Sequence, residues 1–269
     1  MTQQPKKKQD EKGRSADQVA DDIIAESGNN FHCKVANYFR AKKWTTRISQ
    51  FYVDATTDKA REIDLVAEKV ERIVSPYQSK PLRIHTRLFI ECKYITKPMV
   101  FWFEEIDKES ALKLVESKTP LKRDNEHIKH HHYFNSDGDV AKLFASERSK
   151  GEDTEPFFRA LHQCLNGFVH TRGESIVHVK YNVSDRLVLL TYPMIVCSSF
   201  QDFRRTNISG NITHEPIQDN FLLEVNYAYP NALGKSVSEY LIVDVAAFDR
   251  LDAFLAKLVK EEEAVKVIS

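Results

Sequence analysis

REIDLVAEKV at residues 61–70 and RIHTRLFIECKYI at 83–95 are β-rich segments in which charged side chains interrupt apolar runs. Asp64 stands between Ile63 and the run Leu65, Val66, Ala67. A carboxylate there must be solvated at an edge, paired, or bound to a cation, because burying it alone is costly. Glu91 and Lys93 lie two apart, so on a strand they project from one face while Ile90 and Cys92 point to the other. Two carboxylates and an ammonium on neighbouring strands suit metal-activated hydrolysis of a phosphodiester. Asp64 and Glu91 offer hard oxygen ligands to Mg²⁺ or Mn²⁺, with the backbone carbonyl of Cys92 as a further ligand. Lys93 beside the metal would stabilise charge developing on the phosphate or orient the attacking water.

An E-x-K triplet alone is equally an ion pair on an exposed strand, in a chain with 29% charged residues. The combination carries more: Asp64 lies 27 residues before Glu91 (91 − 64), apolar residues flank both, and a helix precedes them. That helix is read over roughly 30–43, from Gly28 and two asparagines as start signals and from Phe31, Val35, Tyr38 and Phe39 at helical spacing. Three β-rich stretches divided by turn residues follow, so the chain opens helix, strand, strand, strand. Residues 104–150 read as short helices and loops, and 155–170 as helix again. SIVHVKYNV, RLVLLTYPMIVCSS, FLLEVNYAY and YLIVDVA are four further strands, and Phe248, Leu251, Leu255 and Leu258 mark a closing amphipathic helix.

REID followed by FIECKY, after a helix ending in KKW, resembles the core of the PD-(D/E)XK, or restriction-endonuclease-like, nucleases, and most of all their Mrr-like branch. Asp64 takes the place of the motif's Asp, Glu91 of its acidic residue and Lys93 of its Lys, with Cys92 as the free position. The resemblance covers residues 26–95. It implies an α/β fold whose core is a helix, a three-stranded meander, a helix and a strand, here with an elaborated β-rich C-terminal half. The motif's leading Pro is replaced by Ile63. Many Mrr-like members carry a Phe-Glu pair early in the first helix, where this chain has Phe31-His32, so Glu26 is the nearest candidate for that catalytic acid. Glu62 shares the face of Asp64 as an accessory ligand or a rim charge. Gln163 resembles the glutamine that some relatives place after the lysine, or is a polar residue on a helix face.

The expected activity is that of a metal-dependent endonuclease hydrolysing nucleic acid, DNA first, in restriction, repair or defence against mobile DNA. The competing reading is a nuclease fold without turnover, binding or scaffolding within a larger nucleic-acid-processing complex. A homodimer fits either. A structural protein self-associating through residues 175–246 is a third reading.

Composition narrows the rest. With 39 Lys+Arg against 39 Asp+Glu the formal net charge is zero, so any hold on a polyanion must come from local patches. Residues 1–16 read as a disordered basic tail and 17–269 as one elaborated domain. Cys33, Cys92, Cys164 and Cys197 have no CxxC pairing, and no signal or membrane-spanning segment is evident, so a cytoplasmic protein with reduced thiols is expected. Only eight glycines are present and no phosphate loop or dinucleotide fingerprint, which removes support for nucleotide-driven motors and hydride transfer. His127, His130, His131 and His132 suggest zinc, but without nearby Cys or an HExxH pattern a polar, partly exposed segment is expected. Trp44 and Trp102 read as core, and Lys42, Lys43, Arg47, Arg204 and Arg205 as small groups able to touch phosphate.

Overall fold

The computed structural model describes residues 15–54, 58–76, 79–95, 97–134, 138–146, 156–172, 185–210, 213–231 and 233–269. The tail expected at 1–16 falls almost wholly outside these, and so does the strand expected at 175–183. Helix α1 (Ala16–Glu26) opens on a reciprocal cap, in which the Ser15 hydroxyl accepts from Gln18 N and the Gln18 side chain accepts from Ser15 N. That pairing satisfies two amides that a helix start leaves free. Helix α2 (Asn29–Ala41) buries Phe31, Val35, Ala36 and Phe39, the stripe that its spacing predicts.

Strands β1 (Thr45–Asp54), β2 (Lys59–Ile73) and β3 (Leu82–Lys93) form an antiparallel meander. Then come β4 (Met99–Glu105), α3 (Lys108–Lys118), β5 (Asp139–Ser146), α4 (Pro156–Thr171), β6 (Arg186–Cys197), β7 (Phe203–Asn207), β8 (Glu215–Pro216), β9 (Phe221–Pro230), β10 (Ser236–Ala247) and α5 (Leu251–Ile268). All ten strands join one mixed sheet in the order β1-β2-β3-β6-β10-β9-β5-β4-β7-β8. Among the described residues the chain is therefore an α/β protein with one ten-stranded sheet and five α-helices.

Strands β4, β7 and β8 are additions to the strands expected from the sequence, and β5 lies within 104–150, where short helices and loops are expected. In VFWFEE the alternation is present, since Phe101 and Phe103 are buried with Trp102 half-buried between them, but three adjacent aromatics hide a period of two. No described helix is long and apolar enough to cross a membrane.

The sheet has a packed layer on each face. Leu88, Ile90 and Cys92 join α2, α3 and α5 in one cluster, while Phe89 joins α4 in the other. Strand β6 repeats the pattern, with Met194 and Val196 on the first side and Ile195 and Cys197 on the second. Strand β3 is covered on both faces and buried almost throughout, so that His85, Thr86, Arg87 and Glu91 are buried along with its apolar residues. Trp44 is buried in the first cluster, edge-on to Phe39.

Gly167 lets α4 pack tightly on β2, because a Cβ there would lie 3.1 Å from Ile63 Cδ1, next to Asp64. Gly167→Val is expected to destabilise the fold by about 2 kcal/mol through overpacking. A fall in the urea midpoint with unchanged slope would show it.

Candidate functional site

Strands β2 and β3 stop pairing just before Asp64 and Glu91. Their ladder ends at Leu65 opposite Ile90, and beyond it side chains take over the hydrogen bonds. Cys92 N donates to Asp64 Oδ2 at 2.9 Å, and Asp64 N donates to Glu91 Oε1 at 3.4 Å. On the other side of β2, the β1 ladder lapses at Ser49, which takes a left-handed φ of 57° opposite Asp64. A non-glycine residue in that region costs about 1–2 kcal/mol. The opening thus coincides with distortion of the strands around it.

Lys93 Nζ lies 3.2 Å from Glu91 Oε2 and 3.9 Å from Asp64 Oδ2, so the three groups expected to converge do converge. Glu91 is fully buried, Asp64 is 8% exposed, and the Lys93 side chain keeps access to solvent. Burial and then the Asp64 carboxylate push the Glu91 pKa well up, with Lys93 opposing them. Two acids at close quarters in a dry site disfavour a second negative charge unless a cation joins them. Glu91 Oε2 is buried and ion-paired with the Lys93 ammonium, so a metal ion would share this oxygen with the lysine. The donor set, two carboxylates at one opening in the sheet, fits a hard divalent ion held by Asp64 and Glu91.

Two helices from opposite faces complete the surroundings. From α2, His32 Nε2 reaches within 3.3 Å of Asp64 Oδ2. It occupies the position where the resemblance leads one to expect a glutamate. From α4, Gln163 Oε1 accepts from Lys93 Nζ at 3.2 Å and so fixes the direction of the ammonium. Glu26 is the last residue of α1, and its side chain lies outside the described structure. Glu62 is half-buried on β2, paired across the ladder with Phe51. Cys92 turns its thiol into the apolar layer, where burial raises its pKa far above the ordinary thiol value, leaving only its backbone near the carboxylates. A cleft of about 1050 Å³ opens beside Lys93, with His32, Lys34, Tyr94 and Ser198 in its lining.

Comparison of the chain with family models, curated proteins and solved structures finds no match.

The histidine segment is partly exposed, as expected, at His127 and His130 but not at its other two rings. It forms two 3₁₀ turns, Glu126–His130 and His132–Phe134, in and between which His131 and His132 are buried against α5. His132 is gripped from both sides, with Nδ1 2.6 Å from Glu261 Oε2 and Nε2 3.1 Å from Asp244 Oδ2. His131, His132 and Glu261 each present a ligand atom within 4.8 Å of the others, a spacing that a small cation can bridge. The hydrogen bonds favour an ion-paired network instead. Tyr133 N donates to His131 Nδ1, which puts the proton of a neutral ring on Nε2, the atom that faces Glu261.

A signal for this cluster exists in the sequence. Phe254, Leu258, Glu261 and Val265 share one face of α5, so a glutamate occupies a position that the helical period assigns to the core. The cations weighed as phosphate contacts are mostly engaged within the chain. Arg205 pairs with Asp139 and Glu215 over the Phe103 ring, Lys42 with Asp252, and Arg47 with Glu68.

Proposed function

We propose that the protein is a metal-dependent nuclease of the PD-(D/E)XK type that hydrolyses phosphodiester bonds, with DNA as the first expected substrate. The observation that carries the reading is the opening of the β2–β3 ladder at Asp64 and Glu91, with Lys93 Nζ 3.2 Å from the second carboxylate. The order α2, β1, β2, β3, α4, β6, with β6 beside β3, supports a restriction-endonuclease-like core into which residues 94–155 are inserted.

When bound, Mg²⁺ or Mn²⁺ would lower the pKa of a water and neutralise charge on the phosphate. Asp64 and Glu91 are the residues that would hold it. Lys93 directs its ammonium toward the same point, where it stabilises negative charge building on the phosphoryl oxygens. Gln163 positions that ammonium through its side-chain carbonyl. His32, in contact with Asp64 Oδ2, anchors the carboxylate from the α2 side.

The test is incubation of purified protein with single-stranded, double-stranded and branched DNA and with RNA, in Mg²⁺, Mn²⁺ or chelator. Metal-dependent cleavage lost in Asp64→Asn supports the reading, and intact substrates under every condition refute it. Gln163→Ala is expected to reduce kcat about tenfold and leave KM unchanged, because Gln163 touches the lysine and not the substrate. Steady-state kinetics on the best substrate would measure that split.

A further inference from the structure

We infer that the cleft beside Lys93 receives an unpaired nucleic-acid strand, with Tyr94 as the platform on which a base next to the cleaved phosphate stacks. This rests on the nuclease reading of the same site and adds a substrate class to it. Tyr94 directly follows Lys93, at the point where β3 ends, and is 70% exposed. It is the one exposed tyrosine among the described residues, the others being buried or half-buried. Its ring lines the cleft together with Phe31 and Phe248.

The charge of that cleft matches a phosphate backbone. Lys34 and Lys93 both line it, Lys93 being paired with the Glu91 and Asp64 carboxylates behind it, and none of its described lining residues carries a carboxylate, although the whole chain is neutral. A polyanion gains from such a local patch even when net charge offers nothing. The aromatic ring separates strand types. In a duplex the base faces are already stacked on one another, so a base must be extruded before it can meet Tyr94. An unpaired strand offers its faces freely, and stacking on an aromatic side chain is tolerant of base identity. The lysine reads the phosphate, and its neighbour reads whether the adjoining base is paired.

The test is fluorescence anisotropy of the full chain with a labelled single-stranded oligonucleotide and with the corresponding duplex, in Ca²⁺ to hold the complex without turnover. Single strand is expected to bind at least about tenfold more tightly than duplex. Tyr94→Ala is expected to weaken single-strand binding about tenfold and leave duplex binding within about twofold, while Tyr94→Phe retains the wild-type preference. Quenching of 2-aminopurine in the strand should be lost in the alanine variant only. Equal binding of the two forms, or an alanine variant that binds single strand like wild type, overturns the inference. A separate arm with Mn²⁺ reads cleavage. If no substrate is cut, the nuclease reading fails whatever the anisotropy shows; cleavage with a preference for duplex that Tyr94→Ala leaves unaltered overturns only the substrate assignment.

Discussion

Asp64→Asn is expected to lower metal-dependent cleavage about a thousandfold, and Lys93→Ala by a similar factor. Asp64 Oδ2 is the atom on which the site converges, with Cys92 N at 2.9 Å, His32 Nε2 at 3.3 Å and Lys93 Nζ at 3.9 Å. Asparagine keeps the shape and an acceptor for Cys92 N but removes the charge that a divalent ion needs. Calorimetry should therefore show Mn²⁺ binding weakened in Asp64→Asn while the thermal midpoint stays close to wild type. Lys93→Ala should differ, keeping the metal ligands but losing the ammonium aimed at the phosphate. Wild-type cleavage by either variant would remove the chemical basis of the proposal.

His132→Ala is expected to destabilise the protein by about 3–5 kcal/mol, the range for removing one partner of a buried ion pair. The loss would leave Asp244 and the fully buried Glu261 without the ring that lies between them. Tyr192 also donates its hydroxyl to Glu261, which ties β6 to α5 through the same carboxylate. Chemical denaturation should show the change as a lowered midpoint, and Glu261→Gln should produce a comparable fall. A near-neutral effect in both would mean that the network contributes nothing net.

The same cluster makes stability depend on pH. Burial pushes the His132 pKa down, but Asp244 and Glu261 outweigh it and raise the value from 6.5 to about 10. This contribution is complete below the unfolded value of 6.5 and is lost as pH rises through about 10. Burial, helped by His132 and opposed by Glu261, lowers His131 to about 3, so the unfolded chain binds the extra proton between about 3 and 6.5 and stability falls with acid there. Glu261, raised by burial but lowered more by the two histidines and Tyr192, ends at about 2 and adds a further loss as pH falls below its ordinary 4.5. The cluster's contribution should therefore peak near pH 6.5 and decline on both sides. Denaturation midpoints measured across pH in wild type and His132→Ala would isolate it, since the variant should lose the alkaline decline.

Local pattern sufficed for much of the framework. Alternation and helical spacing located α2, β1, β2, β3, α4, β6, β9, β10 and α5, because each must bury one face or both and its period follows directly from that need. Spacing also put Glu91 and Lys93 on one side of β3, since two residues on a strand share a face whatever surrounds them. What no local pattern contained is the meeting of distant groups. His32 reaches Asp64 and Gln163 reaches Lys93 only because α2 and α4 pack on opposite faces of the sheet and both flank the same opening. His131 and His132, in a polar stretch that reads as partly exposed, are buried because α5 brings Glu261 and β10 brings Asp244 from more than 100 residues away. A charged side chain in a polar segment carries no local sign of burial, and its opposite charge becomes a partner only when the chain has closed around both.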